Sequence, residues 1–172
     1  MLGNSITQNV NWNELLNRTD IINRGIGKDV TAGFKNRLNH VTSLKPKYCF
    51  IMGGINDILF NIDVDEILAN YEDIVRILKA ENIIPIIQST LFVSESYENA
   101  NSINIKVNNL NSRLIQLSKS HDVKYLDLNG ILSSNNNLKD SYTTDGIHLN
   151  GIGYLKWKKI LAMEMKNHQL SD

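Results

Sequence analysis

The feature that most constrains this chain is an alternation of two hydrophobic periods. Ile21-Ile22-Asn23, Tyr48-Cys49-Phe50-Ile51-Met52, Ile83-Ile84-Pro85-Ile86-Ile87-Gln88-Ser89 and Val123-Lys124-Tyr125-Leu126 are short runs of consecutive apolar residues. Runs of that kind suit strands covered on both faces, as in parallel sheets. Between them the apolar residues recur every three or four positions. Val64, Ile67, Leu68, Tyr71, Ile74, Val75 and Leu78 make one stripe; Ile103, Val107, Leu110, Leu114 and Leu117 make another. Tyr154, Leu155, Ile160 and Leu161 make a third, and each stripe is the buried face of a helix. Strands joined through such helices make right-handed crossovers, hence an α/β fold with a parallel sheet between helix layers. Pro85 weakens the pattern in its own run, because it cannot donate to a ladder.

No repeat or linker divides the 172 residues, so a single domain over 1–172 is expected. Eighteen Lys and Arg balance eighteen Asp and Glu with no block of like charge, which gives neither a nucleic acid nor an anionic membrane a foothold. No apolar run approaches the roughly 18–20 residues of a membrane-spanning helix. The lone Cys49 excludes an internal disulfide and a cysteine-based zinc site, and within its apolar run it reads as a small buried hydrophobe. Asp63-Val64-Asp65-Glu66 lacks the glycine and ligand period of a calcium loop and reads as an acidic helix start. No metal or organic cofactor is implied. Turn chemistry is reached almost at once in Met1-Leu2-Gly3-Asn4-Ser5, so the first strand is expected to be truncated. A cytoplasmic setting is slightly favoured, but a signal peptide lost ahead of Met1 would leave the same sequence, and oligomeric state is not legible.

In an open parallel sheet, ligand chemistry gathers beyond the carboxyl ends of the strands. Four polar clusters are expected on that rim: Gly3–Ser5, Arg24–Asp29, Gly53–Asp57 and Asp145–His148. Serine is a weak nucleophile unless a base takes its proton, and the base needs a third group to fix its tautomer. Ser5 lies on a strand-to-helix turn. His148 and Asp145 are three residues apart with Gly146 between, a spacing that lets the carboxylate curl back onto the imidazole. The other imidazole nitrogen is then free to point at Ser5. A tetrahedral oxyanion needs donors, and loss of one typically costs about 2.7–4 kcal/mol. The Asn56 amide can supply one, with backbone N–H groups of Ser5 and of the Gly27-Lys28 turn. Asp57 ties down its loop rather than reacting.

Taken together, Gly3-Asn4-Ser5-Ile6-Thr7, Asn23-Arg24-Gly25-Ile26-Gly27-Lys28-Asp29, Gly54-Ile55-Asn56-Asp57 and Asp145-Gly146-Ile147-His148 resemble, in order and spacing, the blocks of the SGNH-hydrolase (GDSL esterase/lipase) family. The chain looks most like its small bacterial members related to platelet-activating-factor acetylhydrolase and to carbohydrate acetylesterases. The resemblance implies a flavodoxin-like three-layer αβα fold with about five parallel strands and ester hydrolysis through an acyl-enzyme. It implies Ser5 as nucleophile, His148 as general base and Asp145 as its orienting partner. Ser5 N–H, a second-block N–H and Asn56 would form the oxyanion hole, with Asn4, Gly54 and Asp57 supporting. Two positions depart from the pattern. Asn4 stands where the family has Asp, a neutral isostere at a residue that orients the turn. The family's oxyanion glycine falls on Lys28, whose side chain resists positive φ, so Gly27 in a shifted register is the alternative donor.

Simpler readings stand beside these. Ser5 can cap the first helix and Asn56-Asp57 a later one. His40, His121 and His168 lack partner motifs and read as surface residues, and Lys156, Lys158, Lys159 and Lys166 as a solvated helix face. Trp157 fits core or rim. Ile58, Leu59 and Phe60 can wall an acyl pocket or begin a buried helix. Asn99–Asn111 and Asn135–Asn137 read as surface loop or helix entry. The polar stretch Ser94–Asn99 is expected to overhang the rim and contact a sugar or head group. With no long apolar lid, short esters, acetyl foremost, of a carbohydrate or other polar alcohol are the expected small-molecule substrates. Alternatives are a thioesterase or lysophospholipase, or a non-catalytic carbohydrate- or lipid-binding member of the fold. A nucleotide-binding protein lacks its phosphate loop, since neither GxxxxGK[ST] nor GxGxxG occurs.

Overall fold

The consecutive apolar runs pair into one sheet. A computed structural model describes residues 1–167, and in it five parallel strands lie in the order β2-β1-β3-β4-β5. They are β1 (Leu2–Gly3), β2 (Arg24–Gly25), β3 (Tyr48–Met52), β4 (Ile84–Gln88) and β5 (Lys124–Leu126). The expected α/β class and αβα layering are present. Short helices α1 (Ser5–Gln8) and α2 (Trp12–Leu16) lead to β2, and α3 (Thr31–Asn36) and α4 (Asn39–Thr42) lead to β3. After β3 come α5 (Ile55–Leu59) and α6 (Val64–Ala80), and α7 (Ala100–Ser120) joins β4 to β5. Beyond β5 lie α8 (Asn129–Leu132), the hairpin β6 (Ser133–Ser134) and β7 (Asn137–Leu138), and α9 (Gly151–Asn167). Helices α2 and α8 pack with α9, whereas α3 and α5 pack with α6 and α7.

The stripes read from the sequence are the faces that meet the sheet. Ile67, Tyr71, Ile74, Val75 and Leu78 of α6 are buried, as are Val107, Leu110 and Leu114 of α7. Trp157, undecided in the sequence, is fully buried, and its indole Nε1–H donates to Gln88 Oε1 at 2.8 Å. His168 lies outside the described residues. Cys49 is buried, which pushes its thiol up to about 11 and leaves it unreactive.

The sheet corrects the sequence reading in one place and explains it in another. The second strand is Arg24–Gly25, not Ile21–Asn23. Strand β1 offers only Leu2 and Gly3, which register with Arg24 and Gly25, and Ile22 stays about half exposed before that pairing begins. Pro85 does sit in a central strand. Ile84 N–H donates to Lys47 O on the β3 side and Ser89 N–H to Leu126 O on the β5 side, so alternation turns the Pro85 nitrogen toward β5. The β5 pairing starts one residue later, at Ile86↔Lys124, so no ladder bond is lost.

The asparagines take on two roles. Asn135 and Asn136 both have positive φ, 50° and 58°, and form the two-residue turn of the β6–β7 hairpin. Asn104 and Asn111 lie on the buried face of α7 and hold the segment that follows β4. Asn111 accepts from Thr90 N–H at 2.8 Å and donates to Thr90 O at 2.9 Å; Asn104 does the same for Val93, at 2.9 Å each way. These side chains satisfy backbone that leaves the sheet without a strand partner.

Candidate active site

Asn4 and Ser5 turn the chain from β1 into α1. Asn4, not Ser5, is the cap: its Oδ1 accepts from Ile6 N–H at 3.0 Å. An aspartate would present the same oxygen, so the amide preserves the turn. Its Nδ2 is buried without a partner among the described residues. With capping done by Asn4, the Ser5 hydroxyl is free to face the rim.

Ser5 Oγ lies 3.0 Å from His148 Nε2. His148 Nδ1 lies 2.6 Å from Asp145 Oδ2. A carboxylate there fixes the proton on Nδ1, which leaves Nε2 to accept the serine hydroxyl. The other carboxylate oxygen accepts from His148 N–H at 2.8 Å and Ile147 N–H at 3.0 Å. Burial pushes the Asp145 carboxyl up, but these backbone donors and the His148 ring outweigh it and hold the group below the usual carboxylate range. The His148 and Asp145 side chains are 32% and 49% exposed, so the pair sits at the rim rather than in the core.

Gly146 lets this loop close. Its φ is +87°, and a Cβ there would stand 3.1 Å from Tyr97 Cβ. The Gly146 carbonyl accepts from Ser94 N–H at 2.7 Å, which fastens the segment after β4 onto the histidine loop.

Asn56 stands in the first turn of α5, which Gly54 opens at φ +103°. Its Nδ2 donates to Asp29 O at 2.8 Å, which leaves a second amide hydrogen without a partner among the described residues. Asp57 ties the same turn: it accepts from Thr31 N–H at 2.9 Å and from Thr31 Oγ1 at 2.5 Å. Burial pushes its carboxyl up, against the Thr31 bonds, so Asp57 is suited to holding the turn. Lys28 takes the left-handed φ of +62°, the conformation a glycine would supply, while Gly27 does not. Neither Ser5 N–H nor Lys28 N–H is taken by another described residue.

A cleft of about 480 Å³ opens between α5 and α7; none of Ser5, Asn56, Asp145 and His148 lines it, and Tyr97, which abuts Gly146, joins it to the histidine loop. Ile58 and Leu59 of the Asn56 helix form one wall, and Tyr97, Glu98 and Asn99 with α7 form the other. Of the stretch Ser94–Asn99, Ser94 and Tyr97 meet the histidine loop at Gly146, and Tyr97, Glu98 and Asn99 line the cleft. Phe60 projects into solvent and is no part of that lining. Among the described residues no cluster of metal-ligating side chains occurs.

Residues missed by the sequence reading complete the frame. Arg37 donates to Asp29 Oδ2 at 2.7 Å, to Arg24 O at 2.9 Å and to Gly3 O at 3.1 Å, which joins β1, β2 and the Lys28 turn. Tyr154 and Trp12 donate to the carbonyls of Ile6 and Thr7 at 2.7 and 2.9 Å and hold α1. Asn104 and Asn111 had a legible signal, since polar residues seven apart interrupted an otherwise apolar stripe. Arg37 had none.

A family model for GDSL-like lipases and acylhydrolases matches residues 1–156. An N-acylneuraminate cytidylyltransferase of Streptococcus agalactiae serotype V is 30% identical over 99 residues, 58% of this chain and 23% of that protein. The chain thus matches about a quarter of that relative's length. Among solved structures, a candidate acylhydrolase from Bacteroides fragilis superposes with a TM-score of 0.86 at 28% identity, over 97% of this chain and 85% of that one. A GDSL-like lipase from Bacteroides thetaiotaomicron gives 0.85 at 24% identity, over 97% and 86%, a likeness of fold.

Proposed function

We propose that the chain, which belongs to the GDSL-like lipase/acylhydrolase family, is an ester hydrolase whose Ser5 carries the reaction, removing short acyl groups, acetyl foremost, from a carbohydrate or another polar alcohol. The observation that carries this reading is the continuous hydrogen-bonded line from Ser5 Oγ through His148 to Asp145, 3.0 and 2.6 Å across its two links. Ser5 Oγ attacks the ester carbonyl while His148 Nε2 takes its proton. Asp145 stabilises the imidazolium that results. The carbonyl oxygen gains charge as the tetrahedral centre forms, and Ser5 N–H, Lys28 N–H and the free Asn56 amide hydrogen are the donors available to it. His148 then gives its proton to the departing alcohol, leaving an acyl-Ser5. Water, deprotonated by the same nitrogen, releases the acid.

The cleft that Tyr97 joins to the histidine loop suits a polar alcohol. Six of its nine lining residues, Asn61, Tyr97, Glu98, Asn99, Ser102 and Lys106, can hydrogen-bond, and Tyr97 offers a ring face to a sugar. A long acyl chain would find only Ile58, Leu59 and Ile103 there.

Hydrolysis of 4-nitrophenyl acetate and of a series of longer 4-nitrophenyl esters tests the proposal. Activity is expected to fall with chain length and to be lost in Ser5→Ala. Equal activity of Ser5→Ala and the parent would remove the assignment. A rise toward palmitate would transfer the reading to a lysophospholipase-type enzyme.

A further inference from the structure

We infer that Lys28 selects esters that carry an anionic group, a carboxylate or a phosphate, next to the scissile bond; the inference rests on Ser5 and His148 being the reacting pair. Ile26 to Asp29 form a turn closed by Asp29 N–H to Ile26 O at 3.3 Å, and Lys28 occupies its third position with φ +62°. That position favours glycine, and other side chains hold it at an energetic cost. Of the other eight non-glycine residues with positive φ among the described residues, seven are Asn or Asp, which tolerate it. The eighth, Lys45, follows α4 and precedes Pro46. Strain alone therefore does not mark Lys28. Its place does.

The turn is pinned to the reacting groups from both sides. Ile26 N–H donates to Gly3 O at 3.1 Å, two residues before Ser5, and Asp29 O accepts from Asn56 Nδ2 at 2.8 Å. A lysine chain reaches roughly 6 Å from its Cα, so the ammonium can cover a ligand held by these residues. The Lys28 side chain is exposed and makes no ion pair or hydrogen bond within the described structure. The charges around it are already matched: Asp29 pairs with Arg37 at 2.7 Å, and Asp145 is held by His148. An uncompensated cation therefore stands at the oxyanion turn. Across the site, the exposed Glu95 and Glu98 flank Tyr97. An anionic substrate is drawn to the Lys28 side and repelled from the Tyr97 side, which orients it as well as binding it.

At about 4 Å in water, one such attraction corresponds to roughly a fivefold to tenfold preference. The test compares kcat/KM for 4-acetoxybenzoate and 4-acetoxyphenyl phosphate with that for methyl 4-acetoxybenzoate, in the parent, Lys28→Gln and Lys28→Arg. Dividing anionic by neutral rates within each protein removes any loss of oxyanion stabilisation common to both. Lys28→Gln is expected to lower the ratio fivefold to tenfold for at least one anion, and the larger effect identifies which. Lys28→Arg is expected to keep it within twofold, and 0.5 M NaCl to lower it in the parent but not in Lys28→Gln. A ratio unmoved by Lys28→Gln, with Ser5-dependent turnover of the methyl ester intact, overturns the role of Lys28 and leaves the esterase standing. Absence of Ser5-dependent turnover of any of the three removes both.

Discussion

Tyr154 donates its phenolic hydroxyl to the carbonyl of Ile6 across 2.7 Å. The bond ties the first turn of α9, which follows the His148 loop, to the four-residue helix that carries Ser5. So short a helix cannot hold its own geometry, because most of its carbonyls lack an intrahelical partner. Trp12 holds the next carbonyl, Thr7 O, and its ring packs edge-on against Trp157 with centroids 4.8 Å apart. Helix α9 and the α1–α2 segment are thereby fixed to each other behind Ser5.

Tyr154→Phe therefore tests positioning apart from packing. The net value of one hydrogen bond is about 0.5–1.5 kcal/mol, so the midpoint of urea unfolding should shift modestly. The expected signature is a severalfold lower kcat on 4-nitrophenyl acetate with KM unchanged. A loss of stability with kcat intact would make the bond purely structural.

Gly146→Ala is expected to be costly in two ways. Its φ of +87° penalises any Cβ, by about 1–2 kcal/mol, and that Cβ would press on Tyr97. Because Asp145 and His148 flank the strained position, steady-state kinetics should show kcat falling at least tenfold. Unchanged kcat would mean the loop closes without it.

Much of this was legible from the sequence, and the reasons are specific. Strands such as Tyr48–Met52 and helices such as Val64–Ala80 announce themselves because burial on both faces and burial on one face leave different periods. Ser5, Asn56, Asp145 and His148 stand out because each lies in a compact block with glycine beside the chemistry. What escaped the reading is long-range. The register of Leu2 with Arg24 displaced the second strand from Ile21–Asn23, and no local pattern carries that pairing. Arg37 and Tyr154 bond to backbone carbonyls 34 and 148 positions away, where neither partner marks the other.

Asn111 shows how a polar residue in an apolar stripe supports the site's surroundings. Asn111→Leu would leave the buried Thr90 N–H without its acceptor, at about 1–3 kcal/mol. Chemical denaturation should report a loss in that range. Asn111→Asp keeps an acceptor but loses the donor to Thr90 O and adds a buried charge, so it is expected to be worse above pH 5 than below. Equal stability of Asn111→Leu and the parent would contradict the role given to this clamp.

The pH dependence follows from Asp145. Its carboxyl is held below the usual range in the folded chain, so its contribution to stability is complete above the unfolded value of about 3.9 and is lost as pH falls through the lower folded value. The stability gap between the parent and Asp145→Asn should therefore be steady at pH 6–8 and shrink below about pH 4. In kinetics Asp145 stays ionised from pH 5 to 8, so its own titration does not shape the rate profile there. Asp145→Asn is expected to lower kcat by about 10³- to 10⁴-fold, the effect of fixing the wrong tautomer.

The most direct measurement is covalent labelling with a fluorophosphonate, located by peptide mass spectrometry. The account predicts one adduct per chain, on Ser5, formed far more slowly in His148→Ala and absent in Ser5→Ala. An adduct on another residue, or a folded chain that resists the reagent while His148→Ala behaves like the parent, would contradict it.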